Sequence, residues 1–169
     1  KRVLNPQGAR LFINDRADIA RAVGAAGVHL PEAGLTVPAA RRALGPKGIV
    51  GVSTHDAEGA RRAEDAGADF IAFGPVFFTP SKAAYGPPAG LEKLEVVARL
   101  LSIPVFAVGG VAPDRVRPCL NAGAHGVAVI SAVFHDAGYI QAEGDTEGTG
   151  AKYSACHEER SAAFLREYL

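Results

Sequence analysis

The chain has 169 residues, and its 18 Lys plus Arg residues balance 18 Asp plus Glu, so it lacks the broad basic surface that nucleic-acid binding requires. Its hydrophobic fraction of 48% and charged fraction of 21% are typical of one globular domain. No apolar run approaches the roughly 20 residues of a membrane span, and the two cysteines, Cys119 and Cys156, are too far apart for common zinc-ligand spacing, so a reducing, cytoplasmic location is expected.

Short apolar runs bounded by turn residues predict the β-strands. In chain order they are Arg10–Asp15, Gly27–Leu30, Ile49–Ser53, Phe70–Val76, Pro104–Gly110 and Gly126–Ser131. Most of these runs are apolar at both even and odd positions. Strands that are apolar on both faces are expected to be buried on both, as in a parallel sheet covered by helices.

The segments between these runs predict helices. They are Arg16–Val23, Thr36–Leu44, Thr54–Ala66, Leu91–Leu101 and Pro113–Asn121. In the third segment, Ala57, Ala60 and Ala63 recur at helical spacing and predict a packing face of small residues. Pro118 threatens the interior of the last helix, because proline cannot donate a backbone hydrogen bond.

The alternation of strand and helix is typical of an α/β protein with a parallel sheet or barrel. We expect a TIM-type (β/α)8 barrel truncated to about six βα units, since a full barrel has eight strands and typically about 250 residues. Residues 1–135 are assigned to this barrel domain, residues 136–156 to a flexible, glycine-rich loop and residues 157–169 to a C-terminal helix. Open sheet edges favour pairing with other strands, so a homo-oligomer is predicted.

In a barrel of this kind, functional side chains lie at the C-terminal ends of the strands. Asn14 and Asp15 end the first predicted strand, and Ser53 ends the third. The carboxylate of Asp15 suits Mg²⁺, which takes oxygen ligands and bridges one or two carboxylates to substrate phosphates. The alternative for Asp15 is a structural N-cap before the helix Arg16–Val23.

The loop after the fourth strand contains Thr79, Ser81 and Lys82. Two hydroxyls and an ammonium within four residues can hold phosphate oxygens by charge-assisted hydrogen bonds, although a solvated loop is the alternative. Backbone N–H groups after the last two strands can line a second part of an anion pocket, a position where barrels often bind phosphate. The residues concerned there are Gly110, Ile130 and Ser131.

Two histidines, His29 and His55, lie at predicted strand ends and can titrate near neutral pH. Neither has an acidic partner that is evident from the sequence, so a structural role is the alternative. No Ser/His/Asp order typical of a nucleophilic triad is present.

Several motifs occur together in an order and spacing known from one superfamily. They are Leu11–Arg16 (LFINDR), Gly27–Leu30 (GVHL), Gly51–His55 (GVSTH), Phe73–Phe77 (FGPVF), Thr79–Lys82 (TPSK) and Val108–Val111 (VGGV). Through these motifs the chain resembles the thiamine-phosphate synthase and thiazole tautomerase superfamily, from about residue 11 to residue 133. The resemblance implies a (β/α)8 barrel in which a synthase joins hydroxymethylpyrimidine diphosphate to thiazole phosphate and releases diphosphate with the help of Mg²⁺.

The resemblance also implies roles for individual residues. Asn14 matches an amide on the pyrimidine and phosphate side, and Asp15 matches one of two metal carboxylates. Ser53 and Lys82, assigned as catalytic, match contacts to the diphosphate and thiazole phosphate together with Thr79 and Ser81. The match to the backbone phosphate cradle consists of Gly110, Ile130 and Ser131.

One position departs from the synthase pattern, and another, which agrees with the synthases, departs from the tautomerase pattern. The second metal carboxylate of the synthases is expected after the strand that ends in His29 and Leu30, but this chain has Gly34 there. The stretch Pro31–Gly34 is closer to the tautomerase branch, although that branch has its acid–base histidine where this chain has Pro75. Glu32 has two possible roles, as a substitute metal ligand or as a surface charge near a helix N-terminus.

The leading hypothesis is a synthase-like transferase of thiamine biosynthesis that acts on small phosphorylated substrates and binds neither nucleic acid nor membranes. The first alternative is a thiazole tautomerase, an isomerase that would need a residue of perturbed pKa near Ser53 and Pro75, with His29 or His55 as the candidate. The second alternative is a non-catalytic protein that binds phosphorylated ligands.

Overall fold

A computed structural model describes residues 10–80, 82 and 86–129. Strands and helices alternate strictly through this part of the chain. Their bounds are β1 Phe12–Asn14, α1 Ala17–Ala22, β2 Gly27–Leu30, α2 Val37–Leu44, β3 Ile49–Thr54, α3 Ala57–Asp65, β4 Phe70–Phe73, α4 Gly90–Leu100, β5 Val105–Val108, α5 Pro113–Asn121 and β6 Gly126–Ala128. The six predicted strands and the five helices predicted between them are therefore present, and most of their ends are displaced by a few residues.

The strands form one sheet in the order β1-β2-β3-β4-β5-β6, and every neighbouring pair is parallel. Each helix connects two strands that are adjacent in the sheet, which is the βαβ arrangement of TIM-like folds. The sheet is curled into a half-barrel. All of its strands therefore present their C-terminal ends at one edge.

The ends of two elements differ from the sequence prediction, and one proline does not interrupt its helix. The helix predicted from Thr54 begins at Ala57, because the carboxylate of Asp56 accepts a hydrogen bond of 2.7 Å from the backbone N–H of Gly59 and caps the helix. Strand β4 ends at Phe73 because Pro75, two residues later, has no N–H to donate to the ladder. Helix α5 continues through Pro118 to Asn121.

The main core lies between the sheet and the helices. Its fully buried strand side chains are Val28, Leu30, Val50, Ile71, Phe73 and Val105. Helix α3 contributes Ala60 and Ala63, which are both buried and confirm the predicted small-residue face. No helix within the described residues is long and apolar enough to cross a membrane.

Aromatic rings line the other face of the sheet near its N-terminal edge. Phe70 packs edge-to-face against Phe12 and against Phe106, with ring centroids 5.5 Å apart in each pair. Phe106 makes a similar contact with His125. Gly51 provides space for this row, because a Cβ atom at that position would lie 2.0 Å from the Phe70 ring. We refer to this row of rings as the aromatic floor of the sheet.

Candidate functional site

The predicted site residues within the described part of the chain lie at the C-terminal edge of the sheet. Asn14 ends β1, and Ser53 is near the end of β3. The loop that begins at Gly74 follows β4, and Gly110 follows β5. Because these strands are parallel neighbours, one edge of the half-barrel carries all of these groups.

Asp15 has an unusual backbone conformation for a non-glycine residue. Its φ angle is 56°, and its N–H donates to the carbonyl of His29 over 2.8 Å. The N-cap of α1 is Arg16, and no side chain caps this helix, so the interpretation of Asp15 as a structural N-cap is wrong. Left-handed backbone at such residues is concentrated at functional sites, where surrounding structure holds it in place.

Gly34 lies directly against the carboxylate of Asp15. A Cβ atom at position 34 would be 2.8 Å from Asp15 Oδ1. A carboxylate at this position would therefore project next to Asp15, as the resemblance implies for two metal ligands. In this chain the pair is reduced to one carboxylate.

The other carboxylate of this segment, Asp18, is paired with Arg16. The guanidinium donates from Nε and Nη2 to Asp18 over 2.9 and 2.6 Å. The hydrogen bonds from Arg16 lower the pKa of Asp18 to about 2, and the same pairing raises the pKa of Arg16. Asp18 thus stays ionised with its own cationic partner at neutral pH.

The residues that could hold a divalent cation are consequently few. The described residues contain no group of three or more His, Cys, Asp and Glu side chains with metal-ligand geometry. Asp15 has an exposed carboxylate at the C-terminal edge. One carboxylate completed by substrate phosphate oxygens and water is a ligand set that fits Mg²⁺, whereas it does not fit a structural zinc site, which needs four protein ligands.

His29 and Ser53 form a pair across β2 and β3 that the sequence analysis did not recognise. His29 Nε2 lies 2.7 Å from Ser53 Oγ. Burial of the imidazole lowers the pKa of His29, so the ring is neutral at neutral pH. The strand register gives the reason for the contact: His29 is opposite Gly51, and Ser53 is the next residue on the same face.

The loop after β4 lines a small cavity that is open to solvent on one side. Its lining residues are Pro75, Phe77, Phe78, Thr79, Lys82, Gly86 and Pro88. Thr79 and Lys82 are half-buried, and the backbone N–H of Lys82 donates to the carbonyl of Thr79 over 3.0 Å. This turn brings the predicted hydroxyl and ammonium groups to one cavity.

Gly110 joins the β5 loop to the β4 loop. It has a φ angle of 65°, and a Cβ atom there would lie 2.4 Å from the carbonyl oxygen of Phe78. Only glycine allows this close approach of the two backbones. Gly110 therefore lies beside the loop that carries Thr79 and Lys82.

Arg115, which the sequence analysis did not single out, fixes the same junction. Its Nη1 donates to the carbonyl of Gly110 over 2.7 Å, and its guanidinium carbon lies 4.9 Å from the centroid of the Phe77 ring. One side chain on α5 thus holds both loops. No short motif predicts this contact, because it joins a helix to two loops.

Part of the prediction lies outside the described residues. This applies to Ser81, Ile130 and Ser131 in the predicted site, and to the predicted flexible loop 136–156 and C-terminal helix 157–169. Of the residues predicted to bind phosphate in the β4 loop and after β5 and β6, the structure describes Thr79, Lys82 and Gly110.

Comparisons with known proteins agree with the motifs. The family model described as "Thiamine monophosphate synthase" matches residues 1–133. The chain is 52% identical over 127 residues to the "Thiamine biosynthesis bifunctional protein ThiM/ThiE" of Symbiobacterium thermophilum, covering 75% of this chain and 26% of that protein. It is 49% identical over 125 residues to the "Thiamine-phosphate synthase" of Chlorobium phaeovibrioides, covering 74% of this chain and 60% of that protein.

A solved structure, "Thiamine phosphate pyrophosphorylase from Pyrococcus furiosus", superposes with a TM-score of 0.68 at 30% identity and covers 95% of this chain and 69% of that one. The chain spans 60% and 26% of the length of the two curated relatives above. The match of the family model to most of the chain, together with these similarities, establishes that the chain belongs to the thiamine monophosphate synthase family.

Proposed function

We propose that this chain carries the phosphate-binding and coupling site of a thiamine-phosphate synthase, a transferase of thiamine biosynthesis. It would join hydroxymethylpyrimidine diphosphate to thiazole phosphate and release diphosphate. The observation that carries the proposal is the junction at Gly110, where the β5 loop lies against the loop that holds Thr79 and Lys82. Family membership supplies the identity of the substrates.

The proposed reaction is a dissociative substitution. The bond between the pyrimidine methylene carbon and the diphosphate oxygen breaks, and diphosphate leaves with the electron pair. The thiazole nitrogen then donates its lone pair to the same carbon and forms the new bond. Negative charge grows on the leaving oxygens, so catalysis requires fixed positive charge and hydrogen-bond donors around them.

The residues of this chain fit that requirement. In the proposal, Lys82 provides the ammonium, and the hydroxyls of Thr79, Ser81 and Ser53 donate to phosphate oxygens. The neutral ring of His29 accepts from or donates to Ser53 at 2.7 Å and so orients its hydroxyl. Water is partly displaced from this edge by the ring of Phe77, which is held in place by Arg115.

The remaining assignments concern the two substrate ends. Asn14 is proposed to bind the pyrimidine and its phosphate, and the backbone at Gly110, Ile130 and Ser131 to bind the thiazole phosphate. When bound by Asp15 and substrate oxygens, Mg²⁺ would neutralise part of the charge on the diphosphate.

The finer points of architecture are also proposals. The six parallel strands in sequential order support the proposal that this chain carries about six βα units of a (β/α)8 barrel. Strands β1 and β6 end the described sheet, which favours a homo-oligomer; a monodisperse monomer in light scattering would contradict this. Cytoplasmic location and the lack of nucleic-acid and membrane partners complete the proposal.

A direct assay tests the function. The 169-residue chain is incubated with hydroxymethylpyrimidine diphosphate, thiazole phosphate and Mg²⁺, and thiamine phosphate and diphosphate are quantified. Equal amounts of both products, lost in Lys82→Ala, would support the synthase. A folded sample that binds thiazole phosphate in calorimetry but forms no product would reject it and favour the non-catalytic binder.

One observation favours the tautomerase as a second candidate. His29 combines a lowered pKa with a hydrogen bond to Ser53, and a neutral imidazole can accept a proton from the thiazole ring system. Isomerisation of a thiazole phosphate, monitored by solvent deuterium incorporation in wild type and His29→Asn, separates the two activities. Exchange that persists in His29→Asn would contradict this role.

A further inference from the structure

His55 contacts the loops after two neighbouring strands. It follows β3, and its Nδ1 donates to the carbonyl of Gly74, at the start of the β4 loop. Its Nε2 lies 3.7 Å from Oε2 of Glu32, in the loop after β2. One imidazole therefore connects three consecutive loops at the C-terminal edge.

The two contacts define what the ring does. A carbonyl and a carboxylate are both acceptors, so the imidazole faces one acceptor at each of its two nitrogens. His55 is 50% exposed and Glu32 is 32% exposed, and ion pairs at such exposure contribute little to global stability. The two contacts of His55 therefore serve to position the loops that they join.

Gly74 is the first residue of the proposed phosphate-binding loop. Its N–H donates to the carbonyl of Thr54 over 3.2 Å, and a Cβ atom at Gly74 would lie 2.1 Å from the carbonyl oxygen of Val108. Gly74 is thus packed against β5 on one side and hydrogen-bonded to His55 on the other. Movement of this carbonyl would shift Thr79 and Lys82 relative to Ser53.

The position of Glu32 is also built into the fold. Gly59, buried in the first turn of α3, leaves space for the carboxylate, since a Cβ there would lie 2.5 Å from Glu32 Oε1. The N-terminal end of α3 carries partial positive charge, which favours an anion beside it. Glu32 is therefore directed toward His55 and α3 by a specific glycine.

We propose that His55, held by Glu32, is a positioning residue that sets the β4 loop for binding of the phosphorylated substrates. This proposal deepens the synthase function and rests on it. His55 acts through the backbone of Gly74 and does not contact the reacting atoms. Its loss should mainly weaken substrate binding.

Variants of His55 test the proposal by kinetics. His55→Ala removes both contacts and should raise KM for the phosphorylated substrates by about 3- to 10-fold, the effect of one hydrogen bond, with a smaller fall in kcat. His55→Asn retains an amide N–H near the Nδ1 position and should recover most of the loss. Equal KM values in wild type and His55→Ala, or no recovery in His55→Asn, would overturn the proposal.

Gly59→Ala separates loop positioning from stability. The added methyl group displaces the flexible end of Glu32 and lies 3.3 Å from the capping carboxylate of Asp56, while alanine favours the helix relative to glycine. KM should rise while the melting temperature changes little. Glu58→Gln is the matched control, since Glu58 is exposed and pairs with Arg62 on the same helix. A Gly59→Ala enzyme with wild-type KM would count against a role for Glu32.

Hydrogen–deuterium exchange gives a readout independent of activity. Amides of residues 74–80 should exchange faster in His55→Ala than in wild type or Glu58→Gln, without substrates present. Faster exchange in a chain that forms no thiamine phosphate would support the loop contact and reject only the synthase function. Identical exchange in all three proteins would reject the positioning role.

Discussion

His29 Nε2 lies 2.7 Å from Ser53 Oγ, and this hydrogen bond joins the two central candidate residues of neighbouring parallel strands. The pair places a half-buried imidazole beside a hydroxyl at the edge that carries the candidate phosphate-binding groups. Its burial has a measurable consequence for stability.

We expect acid to destabilise the fold through His29. Burial lowers the pKa of His29 below the ordinary value of 6.5, so near and below that pH the unfolded chain binds more protons than the folded chain. The free energy of unfolding therefore decreases as pH falls through 6.5 toward the folded pKa, and this contribution is constant above that range. Urea denaturation at about pH 8 and at about pH 5, on the two sides of the range in which histidine titrates, measures this change in the free energy of unfolding.

Two variants identify the source of this pH dependence. His29→Asn should have a shallower pH profile than wild type, because the titrating ring is gone. Ser53→Ala retains the buried ring and should retain the slope. Parallel profiles for wild type and His29→Asn would assign the acid sensitivity to other groups.

Lys82→Ala should weaken binding of thiazole phosphate by about 1.5–3 kcal/mol, the range for hydrogen bonds to charged groups. Isothermal titration calorimetry measures the change. Lys93→Ala is the matched control, because Lys93 is an exposed lysine on α4 outside the cavity. Equal affinities in the two variants would remove Lys82 from the binding site.

Gly110→Ala should be strongly destabilising and should abolish the loop junction. The left-handed backbone costs about 1–2 kcal/mol for a non-glycine residue, and the contact with the Phe78 carbonyl adds about 1–3 kcal/mol of overpacking. Gly67→Ala provides the comparison, since Gly67 has a φ angle of 89° but no atom within 4 Å of the new Cβ. If both variants lose the same free energy of unfolding, the close approach at Gly110 is not important.

Gly34→Asp should increase the affinity for Mg²⁺, because it adds a second carboxylate beside Asp15. The new Cβ would be 2.7 Å from the Pro31 ring as well as 2.8 Å from Asp15 Oδ1, so a small local shift is required. A Mg²⁺ titration of activity or of diphosphate binding should show a lower half-saturating concentration than in Gly34→Asn, which has the same size without the charge. Indistinguishable titrations would contradict a metal site at Asp15.

Sequence patterns predicted the fold well where local chemistry determines it. The boundaries of β2, Gly27–Leu30, and of α5, Pro113–Asn121, agree with the structure because glycine, proline and apolar periodicity act locally. The start of α3 differed by a few residues, since both Thr54 and Asp56 are suitable N-terminal residues and only the bond from Gly59 identifies the cap.

The site was predictable in part for the same reason. Its residues follow strand ends, and parallel topology brings strand ends together. The contact between His29 and Ser53 follows from the strand register and was accessible in principle, whereas the contacts of Arg115 with Phe77 and Gly110 depend on loop conformations. Sequence spacing does not determine such conformations.

The row of Phe12, Phe70 and Phe106 separates two tasks within one sheet. These rings pack together near the N-terminal edge of the sheet, while the loops that carry the candidate site extend from the C-terminal ends. Because the floor does not depend on the loop side chains, loop residues can be exchanged without rebuilding the packing below them. Substitutions in these loops can therefore change substrate preference while the packing of the aromatic rings is retained.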